Sequence, residues 1–282
     1  MVTLRVPPRS SASKRKSELI DPRAIVDPAA VIGVDVALGP WSIVGPNVEI
    51  GDGCRIASHV ILKGPTRIGR NNRIFQFATA GEDTPALVYQ GEATTLQIGD
   101  DNVIREGVTI HRGTVQGRGQ TVIGSHNLLM AYVHVGHDCV LGDHVIMANN
   151  ASVSGHVVVG NYANFGGYAG VPQYRHIGAH AHIGGMSLVL KDVPAFVTVS
   201  GNPAGAVGLN IEGMRRRGVS DPAIGALREA YRAVYGRRMT VNEALAEISP
   251  LADCHPEVRL FMTSIAQSRW GIIRGRREGN GD

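Results

Sequence analysis

The sequence predicts an all-β solenoid with three flat sides, followed by a smaller helical region. Three observations predict it. An aliphatic residue recurs every six positions, glycine often follows it, and helix-capping signals begin only after the recurrence stops.

At 282 residues the chain is long enough for one large domain with an appendage. Its composition is 43% hydrophobic but only 5% aromatic, so the core is expected to be aliphatic. The 36 glycines follow no three-residue period, which excludes a collagen-like chain.

Residues 1–20 read as a disordered basic leader. They carry five bases (Arg5, Arg9, Lys14, Arg15, Lys16) against one acid, Glu18, which accounts for the formal charge of +4. The remainder is balanced, so the charge is no argument for a nucleic-acid partner. The leader has no apolar run behind its charges and does not read as a secretory signal. No stretch approaches the ~18 apolar residues of a membrane span. Cys54, Cys139 and Cys254 are odd in number and form no CxxC pair, so neither a disulfide framework nor a cysteine zinc site is expected, and a reduced cytoplasm is the simplest home.

The repeat begins at Val26. Stepping by six gives Val26, Ile32, Leu38, Val44, Ile50, Ile56, Leu62, Ile68 and Ile74, all aliphatic. At this composition nine in succession arise by chance in under about one trial in a thousand. The phase resumes at Ile98, Ile104 and Ile110, and after one shift runs from Ile123 to Val189. A period of six fits neither an amphipathic helix nor an alternating strand. It fits short strands joined by tight corners, each hexad sending one aliphatic side chain inward and glycine easing the turn through its access to positive φ. Three sides close a coil of 18 residues, and coils stack at ~4.8 Å. The repeat alone does not set handedness, for which right-handed is the default in parallel crossovers.

Two insertions interrupt the coils. Residues 77–96 keep the phase, because Ile74 to Ile98 is four sixes; residues 113–122 break it, because Ile110 to Ile123 is thirteen. Such excursions are where function concentrates. Helical signals follow: Ser220-Asp221-Pro222 ahead of residues 223–235, a Thr240/Glu243 capping box, and His255-Pro256 opening a helix that ends before Gly271.

The densest polar cluster in the repeat is residues 131–139, with His134, His137 and Asp138. The 18-residue coil stacks His137, Gly155 and Gln173 in one column, and Asp138 and His156 in the next. A base, an open glycine N–H and an amide along one groove suit acyl transfer. Two readings compete. Corner polar residues are often only solvated turns, and histidines of such a solenoid can hold zinc between subunits, as in the γ-type carbonic anhydrases. Zinc needs converging neutral imidazoles, and the His-x4-His spacing of that family is missing here.

The chain resembles the acyl-carrier-protein–UDP-N-acetylglucosamine O-acyltransferases that start lipid A synthesis. The segments TIHRGTVQGRG (109–119), NLLMAYVHVGHDC (127–139), IGAHAHIGG (177–185), NIEGMRRRG (210–218) and SRWGIIR (268–274) carry the likeness, which covers about residues 21–274. The resemblance implies a left-handed parallel β-helix over 21–205, a helical domain over 206–274 and a flexible tail over 275–282. It also implies a cytoplasmic homotrimer with sites between subunits. The substrates would be an (R)-3-hydroxyacyl carrier protein and UDP-N-acetylglucosamine, with no cofactor or metal. His137 would be the general base, Asp138 its orienting partner and Gly155 the oxyanion donor. His134, His156, Gln173, Asn210, Glu212, Arg216 and Arg217 would contact the substrates. Acyl-chain length would be set near Gly185.

Three departures stand out. The family loop usually carries Asp and Lys where this chain has Ala86 and Val88, and a His where it has Pro172. Glu82 and Asp83 are candidates to compensate. The departures leave open a paralogue with altered acceptor or donor, or a non-catalytic trimeric binding module.

Overall fold

The computed structural model describes residues 19–237 and 239–275. The expected leader lies outside them except for its last two residues, as does the expected tail beyond Gly275. Short strands, most of two residues, build three parallel sheets. The first has eight strands, from Ile25–Val26 to Gly170–Val171; the second has eight, from Val31–Ile32 to His176–Ile177. The third has ten, from Ala37–Leu38 through His182–Ile183 to an antiparallel hairpin, Val197–Gly201 with Ala204–Leu209. The prism is a left-handed parallel β-helix. The right-handed rule assumes a twisted strand feeding a long crossover; two-residue strands with tight corners escape it.

Register follows the sequence arithmetic. Leu129 pairs with Met147 one coil of 18 away. Across the first insertion Ile74 pairs with Ile104, a step of 30, and across the second Ile104 pairs with Leu129, a step of 25. The insertions therefore add 12 and seven residues to their coils. Three buried asparagines bind the coils there. Asn72 Oδ1 accepts the Asn102 backbone N–H at 2.9 Å, Asn102 Oδ1 that of Asn127 at 2.9 Å, and Asn127 Oδ1 that of Val145 at 2.6 Å.

Two expectations need correction. Most hexads send two side chains inward rather than one. Val133 with Val135, Cys139 with Leu141, Val157 with Val159 and Ala163 with Phe165 are all at most 2% exposed. The recurrent glycines also have another purpose. Gly39 and Gly51 lack positive φ, but a Cβ on either would come within 2.6 Å of backbone on the next coil. Glycine is needed there for close approach. Positive φ falls instead on corner residues such as Asp138, His144, His156, Tyr162 and Tyr174, with φ between 57° and 64°. Left-handed backbone is costly for a side chain with a Cβ, and the ring-bearing corner residues offset it by stacking coil over coil. His126, His144, Tyr162, His180 and Phe196 form one such ladder, with centroids 4.7–4.9 Å apart, the coil spacing itself.

The expected boundary at 205/206 falls inside the antiparallel hairpin, so β-structure runs on to Leu209. Four α-helices follow among the described residues: α1 (Ile211–Arg216), α2 (Asp221–Tyr231), α3 (Val241–Cys254) and α4 (Pro256–Ala266), with a π-helical turn, Arg232–Gly236, continuing α2. Ser220 caps α2 and the Thr240/Glu243 capping box opens α3, as their sequences require. Helix α1 was not anticipated, and α4 stops at Ala266, short of the expected run to residue 270. The helices bury Ile224, Leu227, Ile248, Val258 and Phe261. Ser264 ties α4 to the solenoid by accepting the Ala195 N–H at 2.9 Å.

Candidate active site

The corner between the first and second sheets carries the histidine column. Successive coils are stitched there: the His156 N–H donates to the His137 carbonyl at 2.9 Å, and the Tyr174 N–H to that of Gly155 at 3.2 Å. His137, Gly155 and Gln173 thus stack one per coil, and Asp138, His156 and Tyr174 stack beside them. The His137 ring lies directly over Gly155. A Cβ on residue 155 would sit 2.5 Å from its Cε1 and 2.6 Å from its Nε2. At other corners the equivalent N–H is capped from the next coil, that of Ser125 by Asp143 at 2.6 Å. The Gly155 N–H has no acceptor among the described residues.

His137 is 8% exposed and Asp138 fully buried. His137 Nδ1 lies 2.8 Å from Asp138 Oδ2, which fixes the proton on Nδ1 and leaves Nε2 as the basic nitrogen. The second insertion supplies the other half of the arrangement by folding back over Asp138. The carboxylate accepts the Thr114 N–H at 3.0 Å, the Thr114 hydroxyl at 2.7 Å and the Arg118 N–H at 2.7 Å. A Cβ at Gly117 would collide with that carboxylate, so the loop closes only with glycine there. Burial alone would push the Asp138 pKa up. The bonds from His137, Thr114 and Arg118 outweigh it and hold the group at about 2. The structure thus sets an anionic carboxylate, unprotonated near neutrality, against the imidazole.

His134 lies on the adjoining strand, its Nδ1 2.9 Å from Thr109 Oγ1 and its ring 5.4 Å from that of His111. Burial lowers the pKa of both His134 and His156, keeping them neutral hydrogen-bonding groups. The His156 ring stacks on Tyr174 at 4.5 Å. Gln173 is exposed beside the column.

The first insertion is anchored nearby through Arg112. Its guanidinium donates to the Gly64 carbonyl at 2.9 Å, the Gly81 carbonyl at 2.7 Å, the Tyr89 hydroxyl at 2.7 Å and the Asp83 carboxylate. Glu82 is held by Lys63 at 2.6 Å. Both candidates to replace the missing charges, Glu82 and Asp83, are therefore already paired. The loop tip is apolar, with Leu87 fully exposed and Val88 56% exposed.

Asn210, Glu212, Arg216 and Arg217 do not join this cluster within the chain. They line a cavity of about 550 Å³ with Tyr162, His180 and His182, beside the corner between the second and third sheets. Asn210 has a local role: its Oδ1 caps α1 through the Gly213 N–H at 3.0 Å, and its Nδ2 donates to the His180 carbonyl at 2.9 Å. The Arg217 guanidinium lies 4.9 Å from the Tyr162 ring centroid. Gly185 occupies the third corner, where a Cβ would lie 3.3 Å from the Gly167 carbonyl oxygen.

Among the described residues of one chain, the histidines do not converge as a zinc trio. His137, Asp138 and His156 offer ligand atoms within 4.8 Å of one another. Both Asp138 oxygens already accept hydrogen bonds, and His134 is turned to Thr109. This donor set suits a proton-transfer dyad.

The profile of "Udp N-acetylglucosamine O-acyltransferase; Domain 2" matches residues 192–273, and hexapeptide transferase repeats match residues 29–64 and 120–155. An acyl-[acyl-carrier-protein]–UDP-N-acetylglucosamine O-acyltransferase of Stutzerimonas stutzeri is 60% identical over 256 residues, covering 91% of this chain and 99% of that one. The chain belongs to this acyltransferase family. The family's solved UDP-N-acetylglucosamine O-acyltransferase from Moraxella catarrhalis superposes with a TM-score of 0.89 at 49% identity, covering 91% of this chain and all of that one. The Acinetobacter baumannii relative gives 0.89 at 51%, with the same coverage.

In this acyltransferase family member, the contacts around Asp138 bring in residues that the sequence did not single out. Thr114, Gly117, Arg118 and Thr121, whose hydroxyl accepts the Asp138 N–H at 2.8 Å, all lie in or beside the phase-breaking insertion. A signal existed. Counting back the 25-residue step from Asp138 lands on Gly113, where the insertion begins. No comparable signal marked Arg112, which reads as one charge among many.

Proposed function

We propose that this chain transfers an (R)-3-hydroxyacyl group from acyl carrier protein to the 3-hydroxyl of UDP-N-acetylglucosamine, the opening step of lipid A synthesis. The observation carrying this reading is the His137 ring over Gly155 with its Nδ1 held by Asp138. His137 Nε2 takes the proton of the sugar hydroxyl as its oxygen attacks the thioester carbonyl. The tetrahedral oxyanion accepts the Gly155 N–H. Collapse breaks the C–S bond, and the imidazolium returns its proton to the leaving thiolate. His134, His156 and Gln173 supply contacts along the groove.

The working unit is a homotrimer in the cytoplasm. The guanidiniums of Arg216 and Arg217, suited to a diphosphate, lie along a different edge of the prism from His137. A neighbouring copy brings the two edges face to face, with Asn210 and Glu212 completing the nucleotide side. Three free cysteines accord with a reducing compartment, and no described helix is long and apolar enough to cross a membrane.

The test is product formation from 3-hydroxyacyl carrier protein and UDP-N-acetylglucosamine by the purified chain, read by mass spectrometry. Turnover by the wild type with loss in His137→Ala supports the reading; equal rates in both would sink it. The apolar tip at Ala86–Val88 favours one second reading, an acceptor bearing a 3-amino group. A parallel assay with that acceptor separates the two by kcat/KM.

A further inference from the structure

A cleft of about 750 Å³ opens beside the dyad, between the outer face of the second sheet and the segment following α4. Its lining includes Arg118, His156, Tyr174, His176, Arg269 and Trp270. Three separate parts of the chain build it. Arg118 comes from the insertion that encloses Asp138, His156 and Tyr174 from the corner column, and Arg269 and Trp270 from the C-terminal segment.

The charges in this cleft are unbalanced. Neither the Arg118 nor the Arg269 side chain has a hydrogen-bond or ion-pair partner among the described residues. The lining acid is Asp192, which is almost fully buried. It is occupied by the His176 N–H at 2.9 Å and the Ser268 hydroxyl at 2.7 Å. A third guanidinium, that of Arg175, lies 5.5 Å from the Trp270 ring centroid. Trp270 and Tyr174 are each at least half exposed and present aromatic surface to the same space.

Isolated surface arginines are usually just solvated. Here two of them, uncompensated, share one concave site with aromatic walls, next to the group proposed as the base. We propose that this cleft binds a phosphate group of a substrate, with Arg118 and Arg269 as its ligands. Two sources share that chemistry: the phosphodiester of the carrier protein's prosthetic arm and the diphosphate of the sugar nucleotide. The choice between them rests on the acyl-transfer reading, whereas the anion site itself does not.

The experiment measures KM for both substrates in the full-length wild type, Arg118→Gln, Arg269→Gln and the double variant. Arg228→Gln, on an exposed face of α2, controls for loss of charge. Each cleft variant is expected to raise KM for the same single substrate by about tenfold or more, the usual cost of losing a charge-assisted bond. A rise for the carrier-protein donor assigns the phosphodiester, and a rise for the nucleotide assigns the diphosphate. Both KM values within about twofold of wild type in the double variant overturn the proposal. Calorimetry with inorganic pyrophosphate decides independently if the wild type does not turn over, which would defeat the acyl-transfer reading alone. Binding weakened about tenfold in the double variant supports the cleft. Equal binding, or none by the wild type, overturns it.

Discussion

Asp138 Oδ2 accepts from His137 Nδ1 at 2.8 Å and from Thr114 twice, through its hydroxyl at 2.7 Å and its N–H at 3.0 Å. One insertion residue thus holds the oxygen that orients the imidazole. Asp138→Asn should keep the fold, since an amide occupies the same volume, and lower kcat through loss of the correct tautomer. A fall of about 10²–10⁴ is expected, the range for a misplaced general base. Steady-state kinetics alongside a thermal melt distinguish this from unfolding.

Thr114→Val removes the hydroxyl and keeps the shape. It should cost about 1.5–3 kcal/mol of stability, the loss of a hydrogen bond to a buried charge. Thr114→Ser should restore most of it. Urea titrations of the three proteins at neutral pH check the order wild type, Ser, Val.

The acid limb of stability follows from Asp138. Its folded pKa, about 2, is below its ordinary value of 3.8. The resulting stabilisation, about 2–3 kcal/mol, is fully present above the ordinary value and is lost as pH falls through about 2. Unfolding midpoints between pH 6 and 2 should therefore decline less steeply in Asp138→Asn than in the wild type. Parallel declines would refute the assignment.

Gly155→Ala puts a methyl against the imidazole it would have to displace. The corner has ordinary φ there, so the fold should tolerate alanine while kcat falls at least about tenfold. Gly51→Ala makes the opposite case, because its Cβ meets backbone on the next coil. It should lower stability by about 1–3 kcal/mol through overpacking. Comparing Tm with kcat for the two variants tests the distinction.

Arg112→Ala should release the first insertion. It removes four anchoring partners, at a cost of about 1–3 kcal/mol because Asp83 is left exposed to water rather than stranded. Limited proteolysis between residues 83 and 92 should accelerate while the coils stay resistant. Unchanged cleavage would mean the loop is held by other contacts.

The solenoid was legible because a period of six repeats one local instruction, and errors at single positions do not hide it. The histidine column was legible for the same reason, since 18-residue spacing maps directly to height along the prism. Helix α1 was not, because six residues ending in a run of arginines carry no periodic face. The second inward position of most hexads was overlooked because alanine, cysteine, serine and asparagine share it with valine and blur its hydrophobic signal. The stacked corner rings were missed because glycine, which lacks a Cβ, was credited with the left-handed corners that His, Tyr and Asp occupy.

By itself, then, the sequence determined a prism of stacked hexads and the alignment of His137, Gly155 and Gln173 upon it. Only the tertiary structure decided that residues 113–121 close over Asp138, and that Arg216 and Arg217 stand along another edge. The reason is physical. Within the coils, hydrogen bonding between successive strands makes position a function of residue number. An insertion has no such ladder, and its place is set by where a buried carboxylate needs donors.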